Sequence, residues 1–570
     1  MPQRGQTRAP AGALIGIGAC LLALIVAAVA LLGGGSAATA AAAKPRPNFV
    51  VVQTDDQTLS QLYASYTPPG GRTIRAMPHT LKLIARRGVT FKRYYVSYSL
   101  CCPSRVTLLT GRYAHNHNVR GNTPPSGGYP GFASHAAFRH NLAVWLQGAG
   151  YRTIHVGKFL NAYGDAPYDN GKTVPPGWSA WHSVLHADSD HFFYGYTMND
   201  NGAINGPFGD SGSWATRQYG ARDDPGCPNA PQNGKPCYYQ TDHLTQDALD
   251  EMSATPSSQP LYLQLDYTAP HGDFRRPAGP EPAPRYYDTF AGAGLPHSRA
   301  QGFDEANVSD KPGFIRNAPK LTSSEIRVYR VYYQKALESL RSIDDGVRRI
   351  VHRLGVLHRL GDTYILFVSD NGFFYGEHRL TGGKFLAYEP STHLPFLMRG
   401  PGIKPGSSTS ELTANTDIAP TLLQLAGVRP DRSVDGRSAM PFALHPRRHT
   451  NRPILFESFV QTNDVAENGG GPPSGSARAN VRPQPAASAS IVAPAKDYYG
   501  IRLGPWKYIA WPNGEKELYD IATDPNELSN RARSANLRPI RNYLARQLQR
   551  LEHCAGAACR KPAPPIPGVR

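Results

Sequence analysis

Short apolar runs alternate with amphipathic stretches along most of the chain. Residues 48–53 (NFVVVQ) form a valine-rich run preceded by Pro45 and Pro47, which predicts a buried strand. Residues 152–156, 261–266 and 364–369 read the same way, whereas 78–87 and 141–148 read as helices. The clearest helix begins near Thr322, which stands at capping-box spacing from Glu325. Ala336, Leu340, Ile343, Val347, Ile350 and Leu354 then recur at steps of four and three, one stripe for a core. Strands alternating with helices predict an α/β fold with a mainly parallel sheet. Residues 499–503, 506–511 and 517–520 are short runs separated by turn residues. They predict a small antiparallel sheet, followed by a helix near 540–551.

The ends of the chain have a different pattern. Arg4 and Arg8 precede an apolar run over residues 11–32, and small residues follow to Ala38-Thr39-Ala40. That is the layout of a secretory signal, and the run is also long enough for a retained membrane anchor. Ile17-Gly18-Ala19-Cys20 loosely matches a lipoprotein cleavage box. Each reading places the globular part outside the cytoplasm. The expected organisation is a leader at 1–43, a large α/β domain at 44–450, a smaller α+β domain at 451–560 and a Pro-rich tail at 561–570. Residues 463–496 are rich in Gly, Pro, Ser and Ala and read as a disordered insertion.

Charge and cysteines narrow the picture. Lys plus Arg is 61 against 43 for Asp plus Glu, a net +18. The excess favours anionic partners, but the basic residues are dispersed rather than gathered into one run, and nucleic acid is not expected. Cys227 and Cys237, and Cys554 and Cys559, are spaced to close short disulfides in an oxidising compartment. Cys101 and Cys102 remain to be explained.

Three clusters fall where an α/β sheet places its active site, just past the carboxyl ends of strands. Asp55-Asp56 follow the first strand, and Asp370-Asn371 follow the strand at 364–369. Cys101-Cys102-Pro103-Ser104-Arg105 opens a predicted helix, with Pro103 in its first turn. Three carboxylates and an amide oxygen suit Ca²⁺ or Mg²⁺ rather than a soft metal. Cys101 at a helix N-terminus, one turn from Arg105, lies where an anion is favoured.

The run from Cys101 to Arg112 (CCPSRVTLLTGR) resembles the type I sulfatase signature C-x-P-S-R-x-x-x-L-T-G-R. The likeness is closest to the N-acetylglucosamine-6-sulfatase branch, through GRYAHNHN (111–118), GKFLN (157–161), VPPGWSAW (174–181), YGYTMNDNG (194–202), Ala269-Pro270-His271 and RGPGIKP (399–405). The resemblance implies an alkaline-phosphatase-like fold: a large mixed, mainly parallel sheet flanked by helices, plus the smaller C-terminal unit. It implies that a formylglycine-generating enzyme converts Cys101 to formylglycine (3-oxoalanine). The hydrate of that aldehyde attacks sulfur, the alcohol leaves, and a second hydroxyl loses its proton to expel sulfate. It further implies Asp55, Asp56, Asp370, Asn371 and the modified Cys101 as ligands of Ca²⁺, with Mg²⁺ the weaker candidate. Arg105 would support this site, Lys158 and Lys384 would clamp the sulfate, and His271 would stand near the leaving oxygen.

Many arylsulfatases carry a histidine two residues after the first lysine; here that place is Leu160. His115, His117 and His378 lie in or near the motifs and are candidates to substitute or to bind sugar. The implied substrate is a sulfate ester, either a sulfated glycan such as N-acetylglucosamine 6-sulfate or an aryl sulfate. Two other readings stand beside it: a phosphate or phosphonate ester hydrolase of the same superfamily, and a non-catalytic envelope protein that binds sulfated polysaccharide.

Overall fold

A computed structural model describes residues 46–186, 191–208, 239–273, 279–296, 302–459 and 497–567. Its centre is strand β1 (Asn48–Thr54), every residue of which is buried. Phe49 and Val51 face one apolar cluster and Val50 and Val52 the other, so the sheet is covered on both faces. This explains why the run is continuously apolar instead of alternating.

Nine further strands join β1: β2 (Val89–Tyr95), β3 (Arg152–Lys158), β4 (Ala180–Val184), β5 (Tyr196–Asp200), β6 (Ala203–Phe208), β7 (Leu261–Asp266), β8 (Thr363–Ser369), β9 (Phe396–Arg399) and β10 (Ser407–Ala414). The order is β10-β2-β9-β8-β1-β7-β3-β4-β5-β6. The middle, from β8 through β1, β7 and β3 to β4, is parallel, as is the β10–β2 pair. Around that middle, β9 runs antiparallel to β8 and β2, and β5 to β4 and β6. The sheet is therefore mixed; the apolar runs read from the sequence are β8, β1, β7 and β3 of its parallel middle, while β4 and the parallel β10–β2 pair were not read as strands. The flanking strands carry polar positions: Ser407–Ala414 is SSTSELTA, and five of the six residues of Ala203–Phe208 are exposed.

Helices cover both faces. Helix α2 (Cys101–Thr110), α3 (Leu142–Gly148) and α6 (Ile418–Ala426) pack on one, after the short α1 (Pro78–Leu83). Helix α4 (Gln240–Ala254) and α5 (Ser323–Val356) pack on the other. Thr322 caps α5 in a capping box with Glu325, as its spacing predicts, and the stripe from Ala336 to Leu354 is buried. The helix predicted at 78–87 is α1 followed by a 3₁₀ turn at Ala85–Arg87. Asn141 is the N-cap of α3, its side chain accepting from Ala143 N and Val144 N.

The predicted antiparallel sheet is present, with one more strand than expected: β11 (Ile454–Ser458), β12 (Tyr498–Leu503), β13 (Trp506–Ala510) and β14 (Lys516–Asp520). Helix α7 (Arg538–Glu552) packs Tyr543, Leu544 and Leu548 with Leu455, Ile501 and Leu503 of this sheet. Tyr95 and Tyr388 meet Phe456, Tyr498 and Tyr519 in a further cluster that joins the two sheets. Cys554 and Cys559 form a disulfide, while Cys101 and Cys102 are both free and buried. The leader, Cys227 and Cys237, and the segment 463–496 lie outside the described residues. Among those described, no helix is long and apolar enough to cross a membrane.

Two predictions come from this packing. Gly157 sits at φ +112° where β3 closes on β7, and a Cβ there would lie 2.0 Å from the Asp266 carbonyl oxygen. Gly157→Ala should destabilise the protein by about 2 kcal/mol or more, read as a lowered midpoint in chemical denaturation; an unchanged midpoint contradicts this close approach. Glu338 is buried on α5 and accepts from Phe290 N at 3.0 Å. Burial pushes its carboxyl up to about 7. Because the folded value is raised, its contribution is complete below the unfolded value near 4.5 and is lost as pH rises through 7. Glu338→Gln should therefore raise the melting temperature more at pH 8 than at pH 5, and an equal change at both would refute the shift.

Candidate active site

The register of the parallel strands assembles the site. Thr54 of β1 pairs with Ser369 of β8, so the residues that leave the two strands, Asp55-Asp56 and Asp370-Asn371, emerge side by side. On the other side of β1, Gln53 pairs with Asp266 of β7, and Asp266 with Gly157 of β3. The turn after β7 therefore brings His271 to the same edge, and Lys158 ends β3 beside it. Backbone bonds hold the junction: Asp370 N donates to Thr54 O at 3.0 Å and Asp55 N to Ala269 O at 3.3 Å. Asp56 takes φ 65°, a left-handed conformation for a non-glycine residue, and its N–H donates to Asp370 Oδ1 at 3.3 Å.

Helix α2 delivers Cys101 and Arg105 to this edge. The expected helix start at the signature is correct, with Cys101 in its first turn, and Gly111 ends the helix in the left-handed conformation at φ 66°. Arg105 reaches back across the strand ends. Its Nη2 lies 3.1 Å from Asp55 Oδ2 and 2.8 Å from Asp370 Oδ2, and its Nη1 donates to Lys158 O at 2.9 Å. Ser104 Oγ donates to Asp370 O at 2.5 Å and accepts from Asn415 Nδ2 at 3.1 Å.

Both predicted lysines are in the cluster. Lys158 Nζ lies 2.7 Å from Asp55 Oδ2. Lys384 Nζ lies 2.5 Å from Asp56 Oδ1 and 3.1 Å from Cys101 Sγ. Its loop is tied to the segment before Cys101 by Phe385 N donating to Ser99 O at 2.9 Å. His271 Nδ1 donates to Gly272 O at 2.9 Å, and its Nε2 lies 3.6 Å from Asp56 Oδ2. All of these side chains are buried.

Burial sets the electrostatics. It would raise Asp55, but Lys158, His271, Arg105 and Lys384 together hold that carboxylate well below its usual range. Burial and the Asp55 and Asp56 charges raise Asp370 against the pull of Arg105 and Lys384. Burial would lower Lys384, yet Asp56, Cys101 and Asp55 keep its ammonium well above the usual value. Burial and Asp55 push the Cys101 thiol up to about 12, so as a cysteine it stays protonated at neutral pH.

The carboxylate oxygens of Asp55, Asp56 and Asp370 and the amide oxygen of Asn371 are donors of the kind a hard cation takes. Asp55, Asp56, Cys101 and His271 each bring one ligand-type atom within 4.8 Å of the others. Asn371 donates its amide to Asp56, while its buried Oδ1 has no hydrogen-bond partner among the described residues. A buried carbonyl oxygen left without a donor, next to three carboxylates, is what an oxygen-coordinated ion requires.

The other three histidines are held elsewhere. His115 bonds Glu457 Oε2 at 2.7 Å and Cys554 O at 2.9 Å, beside the disulfide. His117 bonds Thr107 Oγ1 at 3.0 Å and accepts from Val119 N at 3.1 Å. His378 pairs with Glu305 Oε2 at 2.7 Å. The sequence reading missed His191, whose Nε2 is 3.0 Å from Lys158 Nζ and whose ring centre is 4.3 Å from that of His271. Its sequence surroundings, between β4 and β5, carry no motif that marks it.

Comparisons with known proteins bear on the family and the fold. A family model described as Sulfatase matches residues 47–428. An arylsulfatase of Volvox carteri is 33% identical over 91% of this chain and 76% of its own length. An N-acetylglucosamine-6-sulfatase of Capra hircus is 30% identical over 92% of this chain and 87% of its own. The solved structure of BT4656 in complex with its substrate D-glucosamine-2-N,6-O-disulfate superposes with a TM-score of 0.61 at 22% identity, covering 88% of this chain and 97% of that one. That likeness is one of fold.

Arg105→Ala would leave Asp55 and Asp370 buried without their shared partner. It should cost about 3–5 kcal/mol in denaturant unfolding. A loss below about 1 kcal/mol would show that the bridge does not hold the strand ends together.

Proposed function

The chain belongs to the sulfatase family of sulfate ester hydrolases, and from that premise we propose that it works through a formylglycine made from Cys101 beside a bound Ca²⁺. The proposed substrate is the 6-sulfate of N-acetylglucosamine or of a similar sulfated glycan residue. The observation that carries this reading is the convergence of Cys101, Lys158, Lys384 and His271 on one buried carboxylate cluster. The name of the goat relative supports the choice of sugar. The leader pattern supports an address outside the cytoplasm, and a formylglycine-generating enzyme is the partner needed for maturation.

Formylglycine supplies, as its hydrate, one hydroxyl to attack sulfur and a second whose deprotonation releases sulfate. Asp55, Asp56, Asp370 and Asn371 would hold the Ca²⁺, which supplies charge stabilisation for sulfate oxygens. The remaining work belongs to side chains already in place. Lys158, anchored on Asp55, and Lys384, anchored on Asp56 and beside residue 101, would offer their ammonium donors to the anionic sulfate. Arg105 keeps Asp55 and Asp370 at fixed separation, so that their oxygens face the site instead of repelling one another. His271, with its Nδ1–H committed to Gly272 O, turns Nε2 toward the reacting groups, and as an imidazolium it would give its Nε2 proton to the leaving oxygen.

The test is fragmentation mass spectrometry of the tryptic peptide at residues 94–105, from protein made in its native host. The same preparation is assayed on 4-nitrophenyl sulfate and N-acetylglucosamine 6-sulfate. Formylglycine at position 101 and hydrolysis of both esters are expected, with Cys101→Ala lowering kcat by at least about 10³-fold. An unmodified Cys101 in active protein would overturn the formylglycine reading. Activity on the aryl ester alone would overturn the sugar.

A further inference from the structure

Lys158 is held from two sides. Its Nζ lies 2.7 Å from Asp55 Oδ2 and 3.0 Å from His191 Nε2. An ammonium carries donors only, so in this contact His191 Nε2 must accept, and the imidazole proton sits on Nδ1. His191 is 4% exposed, and its ring lies against that of His271, 4.3 Å between centres. One side chain thus touches two of the groups assigned to the reaction. Leu160, two residues beyond Lys158, makes no such contact and is buried in the apolar cluster with Cys102, Tyr129 and Phe159. The contact comes instead from the segment between β4 and β5, far from the lysine motif in sequence.

We propose that His191 is a positioning residue for sulfate ester hydrolysis, accepting a hydrogen bond from Lys158 Nζ and bracing His271. The inference rests on the sulfatase reading. Asp55 draws the ammonium toward the carboxylates. The acceptor at His191 opposes that pull and helps set the direction of the donors that meet the sulfate. A histidine that merely filled space would be indifferent to whether Lys158 is present, and this difference can be measured.

The experiment compares His191→Leu, His191→Gln, Lys158→Ala and the double variant His191→Leu/Lys158→Ala on 4-nitrophenyl sulfate. Melting temperature and formylglycine content are recorded for each. His191→Leu keeps bulk but has no acceptor, and kcat/KM should fall about 10–100-fold. His191→Gln can place its carbonyl oxygen near the position of Nε2 and should recover to within about 5-fold of the parent. The double variant should be no slower than Lys158→Ala alone, because the two residues act as one unit. His191→Leu within about 2-fold of the parent, His191→Gln as slow as His191→Leu, or fully multiplicative losses in the double variant would each overturn the proposal. If His191→Leu does not fold, His191→Phe, which keeps the ring packing but has no acceptor, takes its place in every comparison with the same limits. Failure of the parent to hydrolyse any sulfate ester would instead refute the sulfatase reading.

Discussion

Arg105 sits buried among Asp55, Asp370 and the carbonyl of Lys158, and the site is organised around that bridge. A buried carboxylate needs a partner, and two of them at adjacent strand ends need a shared one. The guanidinium meets the need because its donors are planar and fixed, reaching both acids and a backbone oxygen at once. With the acids fixed, Lys158 and Lys384 have anchors of their own, and the thiol of Cys101 has defined neighbours on each side. Burial is what gives these interactions their strength, and it also keeps the thiol protonated. A free thiol in this place is a poor nucleophile.

The same edge explains why the signature helix and the sheet cannot be treated separately. Helix α2 packs Val106, Leu108 and Leu109 into the apolar cluster on one face of the sheet and directs its first turn toward the strand ends. The smaller sheet braces this arrangement at a distance. Glu457 of β11 bonds His115, just beyond α2, and His115 also bonds the carbonyl of Cys554 in the disulfide. The motif histidine His115 therefore ties the C-terminal elements to the segment that follows the signature. Its neighbour His117 links Thr107 of α2 to Val119 beyond the helix.

Much of this was legible from residue order. Buried parallel strands announce themselves as apolar runs, so β1, β3, β7 and β8 were visible, and so was α5 from its capping box and stripe. Strands β2, β5, β6 and β10 were not, because at the flanks of a sheet polar residues are tolerated and no period stands out, and β4 and β9, of five and four residues, are too short to show one. The carboxylates could be named from their place just past two strands, Cys101 and Arg105 from the signature run, and both lysines only through the family resemblance.

Local sequence was enough to specify which residue types follow which strands, where α2 starts, and that two cysteines near the C-terminus could close. It could not specify which strands are neighbours. That depends on the packing of the whole sheet, and strand adjacency is what places Asp55 beside Asp370 and Lys158 beside His271. It singled out His115 and passed over His191, since a histidine outside any motif carries no spacing to read and its role is defined by its neighbours. Those neighbours come from β3 and from the turn after β7, so the distances among Lys158, His191 and His271 exist only once the chain has folded.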